Sequence, residues 1–253
     1  MFLVSNAPLW LQIMGEFTGA LLLILLGNGV CFSVTHRKMF ANQGNKWITV
    51  IFGWAVAVFV GAFVANAIGS PGHINPAVSL YFAINFKTWD PIAYIPTQFL
   101  GAIVAQALLY GLNWNFIKSE IQNEPKKDLT RNSSCTNPVF EDKKSMISNF
   151  FYELIGTSIL ITIIMIINNV YVGNTTSNIF IVTTTILGIG ASLGSVTGFA
   201  INPGRDLGPR IVYQILRTTT NNQLISANWS YSWIPVIAPL LAGILFGLVS
   251  LSF

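Results

Sequence analysis

An Asn-Pro pair occurs twice in this chain, once in each half, within sequence that is otherwise strongly apolar. The two copies are Gly-His-Ile-Asn75-Pro76-Ala77 and Gly-Phe-Ala-Ile-Asn202-Pro203-Gly204. Asn is a strong helix N-cap and Pro is tolerated at the first helical position, so each pair predicts a helix start. A helix that starts inside lipid leaves backbone groups unpaired unless protein or a water-filled cavity surrounds it. The two copies therefore predict two half-helices that meet head to head around a pore.

The composition of the chain indicates that it lies in a lipid bilayer. The 253 residues are 53% hydrophobic and only 9% charged, whereas a soluble domain carries about 25% charged residues. A membrane span needs about 20 mainly apolar residues. Six stretches meet this requirement, at about 9–34, 46–68, 92–116, 147–171, 178–197 and 233–253. Two shorter apolar stretches, at about 75–86 and 202–216, begin at the Asn-Pro pairs and are predicted as half-helices.

The chain is predicted to be a single channel domain, residues 1–253, made of two repeats. A polar connection at about 117–146 separates repeat 1, about 9–116, from repeat 2, about 147–253. Glu16 at the start of the first span matches Glu153 at the start of the fourth. Because each repeat contributes an odd number of spans, the second enters the bilayer from the opposite side. The expected fold is an all-α membrane protein with six transmembrane helices and two re-entrant half-helices in inverted repeats.

Several classes of function are not supported by the sequence. The two histidines and two cysteines have no metal-ligand spacing, so no metal and no cofactor are expected. Basic residues of the polar connection, such as Lys143 and Lys144, are interleaved with acidic ones, which is typical of a solvated loop rather than a nucleic-acid surface. A membrane-embedded enzyme needs a nucleophile–base or metal set, and the sequence offers none. The chain is therefore not expected to be an enzyme.

Hydrogen-bond donors dominate the polar residues predicted near the membrane midplane. The Asn75 and Asn202 amides, the positive ends of both half-helices and the Arg205 guanidinium favour hydroxyls and water and oppose cations. An alternative for Arg205 is a structural anchor paired with Asp206. Glu16 and Glu153 are predicted to accept backbone N–H bonds from the re-entrant loops.

Two further alternatives concern the acidic residues and a histidine. If Glu16 and Glu153 instead relayed protons, the protein would be an ion-coupled secondary transporter, which also uses inverted repeats and broken helices. His73, two residues before Asn75, is predicted either to line the pore or to pack through hydrogen bonds.

Over nearly its full length the chain resembles the aquaporin/glycerol-facilitator (major intrinsic protein) family. The motifs that carry the resemblance are Gly15-Glu16-Phe17, Gly72-His73-Ile74-Asn75-Pro76-Ala77-Val78, Tyr152-Glu153 and Gly198-Phe199-Ala200-Ile201-Asn202-Pro203-Gly204-Arg205-Asp206. The resemblance implies an aquaporin-like fold, one pore per subunit and a homotetramer. Gly204 stands where Ala is usual in the family.

Two features are similar to those of the aquaglyceroporin branch of this family. They are an Asp directly after Arg205, here Asp206, and a long connection before the fourth span. The resemblance implies a selectivity filter, the narrowest ring of the pore, made of Trp54, Gly190, Phe199 and Arg205. Its supporting residues would be Asp206, Glu16 and Glu153. A small Gly190 leaves room for the Phe199 ring. The approach Gly69–His73 is one residue longer than usual, so Phe52 is the alternative to Trp54.

These residues suit a permeant with one apolar and one polar face. Two aromatic rings contact CH groups, Arg205 donates to hydroxyls, and acceptors come from the carbonyls of Gly72, His73, Phe199 and Ala200. The expected function is a passive channel for glycerol, small uncharged polyols and water. A strict water channel is the first alternative, although Gly190 stands where such channels carry His. An ion-coupled transporter is the second.

The expected partners are glycerol and water as permeants, membrane lipid, and further copies of the chain. The expected location is the cell membrane. Loop charge would put the odd-numbered connections, which hold Arg37 and Lys38, in the cytoplasm. The family resemblance implies the opposite orientation, with cytoplasmic termini, and we follow it.

Overall fold

The computed structural model of the protein describes residues 5–124, 127–170 and 173–252. The outermost residues of the predicted domain, and the end of the predicted fourth span at 171, lie outside this part. Ten helices occur in the described residues: α1 Leu9–Thr35, α2 Lys46–Ile68, α3 Pro76–Asn85, α4 Asp90–Leu112, α5 Trp114–Asn123, α6 Leu129–Asn132, α7 Lys143–Asn169, α8 Thr175–Ser192, α9 Pro203–Thr219 and α10 Ile234–Ser250.

Six of these helices correspond to the predicted spans, and the fold class is confirmed. Four, namely α1, α2, α4 and α7, are long and apolar enough to cross a membrane by length and composition. The remaining two are α8 with 18 residues and α10 with 17, which is near the lower limit of about 17 residues for a span. The half-helices α3 and α9 begin at Pro76 and Pro203, directly after the two Asn residues.

Two of the predicted spans had wrong boundaries. The third span, expected to continue to 116, ends at Leu112 because Asn113 donates both its side-chain amide (2.9 Å) and its backbone N–H (3.0 Å) to the Leu109 carbonyl. Such side-chain bonds compete with helix continuation, and α5 follows as a separate helix. The fifth span starts earlier than expected because Asn174 caps α8 through the Ser177 N–H at 2.8 Å. It ends at Ser192, and residues 193–197 form turns.

Each half-helix packs against a span of the other repeat. A Cβ added to Gly243 of α10 would lie 2.5 Å from the Ala77 carbonyl oxygen of α3. A Cβ added to Gly208 of α9 would lie 2.9 Å from the Ala102 Cβ of α4. Small residues at both crossings let the backbones approach closely. The packing of α3 on α10 and of α9 on α4 holds the starts of both half-helices in the centre of the molecule.

Candidate functional site

The half-helices begin with the same local structure. Asn75 is the N-cap of α3, and its Oδ1 accepts from the Ala77 N–H at 2.9 Å. Asn202 is the N-cap of α9, and its Oδ1 accepts from the N–H groups of Gly204 (3.0 Å) and Arg205 (3.2 Å). Both Asn residues have φ −152°. The capping bonds point the two amide nitrogens away from their own helices.

The two re-entrant loops, residues 69–75 and 198–202, bind each other through these amides. Asn75 Nδ2 donates to the Ile201 carbonyl at 2.9 Å, and Asn202 Nδ2 donates to the Ile74 carbonyl at the same distance. Each bond uses one of two amide hydrogens, so each Asn retains a donor for another acceptor. A Cβ on Gly204 would lie 3.4 Å from Pro76 Cδ, so the helix starts are in close contact.

A buried carboxylate holds each loop. Glu16 has no exposed surface and accepts from the His73 N–H (2.7 Å), the Ile74 N–H (2.6 Å) and the Gln98 amide (2.7 Å). A fourth bond comes from the Ser70 hydroxyl at 2.6 Å. In these positions the carboxylate satisfies backbone donors that would otherwise be buried without partners.

Glu153 has the same relation to the second loop. It is fully buried and accepts from the N–H groups of Ala200 (3.0 Å) and Ile201 (2.7 Å). Phe199 and Ile201 have φ values of 37° and 42°, and Ile74 of the first loop has 45°. Such left-handed conformations are strained for these residues and persist only where surrounding structure holds them. The two glutamates provide that support.

A cavity of about 70 Å³ lies beside the meeting point of the half-helices. Much of its lining is aliphatic and is formed by Leu23, Val58, Val78, Leu160, Ile164, Ile179, Val182 and Ile186. The loops and their flanking residues contribute Gly72, His73, Ile74, Asn75, Phe199, Ala200, Ile201, Asn202 and Arg205. Trp54 also lines the cavity. The space is therefore amphipathic.

Eight of the sixteen residues predicted for the site line this cavity. Both Asn residues, the four residues predicted to supply carbonyls, Trp54, Phe199 and Arg205 all line this cavity. Phe52, the alternative to Trp54, is 62% exposed, whereas Trp54 is 3% exposed. His73 lines the cavity, and its Nδ1 lies 3.1 Å from the Ser79 hydroxyl.

Arg205 and Trp54 are in direct contact. The guanidinium carbon of Arg205 lies 4.1 Å from the Trp54 ring centroid, within the range of a cation–π interaction. Arg205 is 6% exposed, and its Nη1 has no hydrogen-bond partner among the described residues. A buried donor without a partner costs free energy, so this nitrogen is suited to bind an oxygen that enters the cavity.

Phe199 lies on two glycines, Gly190 within α8 and Gly194 just after it. A Cβ on Gly190 would lie 3.1 Å from Phe199 Cζ, and one on Gly194 would lie 2.4 Å from Phe199 Cδ1. Gly190 therefore sits behind the ring and makes room for it. The ring meets Trp47 edge to face at 5.7 Å. Trp47 and Gly194 were not predicted for the site, although their spacings, seven residues before Trp54 and four after Gly190, are those of residues on one helix face.

Asp206 is buried and binds Arg210 rather than Arg205. Its carboxylate accepts from Arg210 Nε at 2.8 Å and Nη2 at 3.0 Å, and from the Thr136 N–H at 2.7 Å. The anchor pairing considered for Arg205 is therefore not what the structure has. A Cβ on Gly198 would lie 3.2 Å from Thr136 Cγ2. Thr136 of the polar connection thus contacts both Asp206 of α9 and Gly198 of the second loop.

A fold with six spans and two half-helices that meet at their N-termini beside a narrow amphipathic cavity defines a multi-pass membrane protein of the channel class. Residues 4–250 match the family model described as "Major intrinsic protein". The chain belongs to the major intrinsic protein family.

Two related sequences and one solved structure are similar to this protein over almost the whole chain. The "Probable glycerol uptake facilitator protein" of Mycoplasmoides gallisepticum is 38% identical over 247 residues, which covers 94% of this chain and 96% of the relative. The "Glycerol uptake facilitator protein" of Streptococcus pneumoniae is 38% identical over 240 residues, covering 94% and 97%. The crystal structure of the aquaglyceroporin from Plasmodium falciparum superimposes with a TM-score of 0.77 at 28% identity and covers 95% of each chain.

Proposed function

We propose that the protein is a passive channel for glycerol, other small uncharged polyols and water. The amphipathic lining of the cavity carries this proposal, because a polyol has one face of CH groups and one of hydroxyls. The names of the similar proteins support glycerol as a permeant. The proposed setting is the cell membrane, where the chain forms a homotetramer surrounded by lipid with its termini in the cytoplasm.

Permeation follows from an exchange of hydrogen bonds along the cavity. Arg205 Nη1 and the second hydrogens of the Asn75 and Asn202 amides donate to a hydroxyl. The carbonyls of Gly72, His73, Phe199 and Ala200 accept from it. The aliphatic lining residues contact the carbon chain without competing for these bonds.

Two features oppose cations. Arg205 carries a fixed positive charge, and each half-helix directs the positive end of its dipole, about half an elementary charge, at the same region. Neither feature opposes a neutral solute. The cavity therefore favours uncharged hydroxyl compounds.

The alternatives account for fewer of these features. Membership of the family favours a transporter over an enzyme. A strict water channel does not require Trp54 and Phe199, whose rings offer contacts to the CH groups of a polyol. In an ion-coupled transporter Glu16 and Glu153 would exchange protons, but both carboxylates are engaged with loop N–H groups.

Light scattering from proteoliposomes tests the proposal. After a glycerol jump, vesicles with the protein should shrink and then reswell quickly, whereas after a sucrose jump they should shrink and stay small. Fast shrinkage in both solutes without faster reswelling in glycerol would identify a strict water channel. Uptake of glycerol against its gradient, driven by an ion gradient, would identify a coupled transporter.

Replacing Arg205 with Val is expected to admit protons and small cations. The substitution removes the only full positive charge among the residues that line the cavity. A unit charge about 4 Å away contributes roughly 4 kcal/mol at an effective dielectric constant near 20, so the ion leak should rise at least about tenfold. A pH-sensitive dye inside proteoliposomes measures the leak. Arg37→Val, at an exposed guanidinium, is the control, and an unchanged leak in Arg205→Val would contradict the assigned role.

A further inference from the structure

The ring of Trp54 rests against α1 at two positions. A Cβ added to Gly27 would lie 2.4 Å from Trp54 Cζ3 and 2.5 Å from Cε3, far inside van der Waals contact. One turn later, Cys31 Sγ accepts the Trp54 Nε1–H at 3.3 Å. Cys31 is 7% exposed, so water has little access to this bond. The backbone at Gly27 and the sulfur of Cys31 together restrict the ring position.

The same ring contacts Arg205, whose guanidinium carbon lies 4.1 Å from the ring centroid. The ring therefore joins α1 to the one charged side chain among the residues that line the cavity. A change in ring position alters both the width of the cavity and the position of Arg205 Nη1, which has no hydrogen-bond partner in the described part of the chain. Residues that never touch the permeant could in this way influence which permeant passes.

We propose that Gly27 and Cys31 are positioning residues that determine the selectivity of the channel through Trp54. Gly27 sets how far the ring lies from the cavity, because only a residue without a side chain lets the ring rest on α1. Cys31 fixes the rotation of the Trp54 ring about its Cβ–Cγ bond, because the Cys31 sulfur accepts the single N–H of the indole. The inference rests on the proposed function, in which Trp54 and Arg205 belong to the selectivity filter.

The first test compares glycerol and water permeability of Gly27→Ala in proteoliposomes. The added Cβ must displace the ring towards Arg205 and the cavity, so glycerol permeability should fall relative to water by at least about fivefold. Gly29→Ala is the matched control, since it changes the same helix and its Cβ would come no nearer than 3.8 Å to another side chain. Its permeability ratio should equal that of the unchanged protein. An unchanged ratio in Gly27→Ala would overturn the role of Gly27.

The second test compares Cys31→Ala with Cys31→Ser. Ala leaves the buried indole N–H without its acceptor, whereas Ser retains an acceptor oxygen, so Ala should change the glycerol-to-water ratio by about threefold and Ser by less. In a Trp54→Phe background, which has no N–H, Ala and Ser should give the same ratio. A difference that persists in that background, or identical ratios for both variants in the native background, would overturn the role of Cys31.

Two measurements distinguish a failed positioning role from poor reconstitution and from a wrong filter assignment. Protein content of each vesicle batch is quantified, and if Gly27→Ala does not reconstitute, the Cys31 comparison decides the proposal. Trp54→Phe alone tests the selectivity filter itself. If that variant retains the native glycerol-to-water ratio, the filter assignment fails, whereas a changed ratio together with unresponsive Gly27 and Cys31 variants rejects only the positioning role.

Discussion

Replacing Asp206 with Ala is expected to lower the unfolding temperature of the protein strongly. Asp206 and Arg210 are both fully buried, and the guanidinium donates two bonds to the carboxylate. Removing one partner of a buried ion pair costs about 3–5 kcal/mol, which is a large part of the roughly 5–15 kcal/mol that stabilises a folded protein. The Thr136 N–H also loses its acceptor. Unfolding of the detergent-purified protein on heating, followed by circular dichroism, measures the loss.

A matched control neutralises an acidic residue at the surface. Glu124→Gln removes a carboxylate whose ion pair with Lys127 (2.6 Å) is solvent-exposed. The hydrogen bond from Lys127 lowers the pKa of Glu124, but solvent screens such pairs and little stability is expected from them. The control should therefore unfold close to the native temperature. If Asp206→Ala did the same, the ion pair would not support α9.

The starts of the half-helices were predictable from the sequence because their causes are local. An Asn side chain reaches the N–H groups two and three residues later, and Pro needs no partner for its nitrogen. The structure accordingly begins α3 at Pro76 and α9 at Pro203. The roles of Glu16 and Glu153 as acceptors for loop N–H groups were also predictable, since a buried carboxylate near a re-entrant loop needs donors and the loop needs acceptors.

Contacts between distant parts of the chain were not predictable in the same way. Asp206 lies 70 residues from Thr136, and nothing local in the sequence indicates that contact. The ion pair with Arg210 differs, because a spacing of four residues on a helix places Arg210, and not the adjacent Arg205, beside Asp206. The choice between Trp54 and Phe52 also depended on a neighbour. Two residues differ by about 200° around a helix, and in the structure Trp54 is the one that packs on Gly27 and lines the cavity.

Enlarging Gly190 is expected to close the channel to glycerol in steps. A Cβ at this position would lie 2.9 Å from Ile51 Cγ2 and 3.1 Å from Phe199 Cζ, both of which are ends of side chains. Ala therefore requires shifts of a few tenths of an ångström, whereas the two further methyl groups of Val must push the Phe199 ring into the cavity. Overpacking costs about 1–3 kcal/mol, so glycerol permeability of Gly190→Val should fall at least about tenfold.

Gly188→Ala and Gly188→Val provide the comparison for this series. Gly188 is exposed on the same helix, and a Cβ there would meet no atom within 4 Å, so both variants should conduct glycerol at the native rate. Water permeability should fall less than glycerol permeability across the Gly190 series, because water is the smaller permeant. Native glycerol permeability in Gly190→Val would mean that the Phe199 ring does not limit permeation.

A second substitution shows whether Gly190→Val lowers glycerol permeability by displacing the Phe199 ring or by distorting α8. If Gly190→Val acts by moving the ring, then Phe199→Ala in the same chain removes the obstruction, and glycerol permeability should recover towards that of Phe199→Ala alone. If the valine instead distorts α8, truncating Phe199 gives no recovery, because the strain lies between the valine and Ile51. The double variant therefore determines whether Gly190 acts through Phe199, as the 3.1 Å approach predicts, or through the packing of α2 on α8.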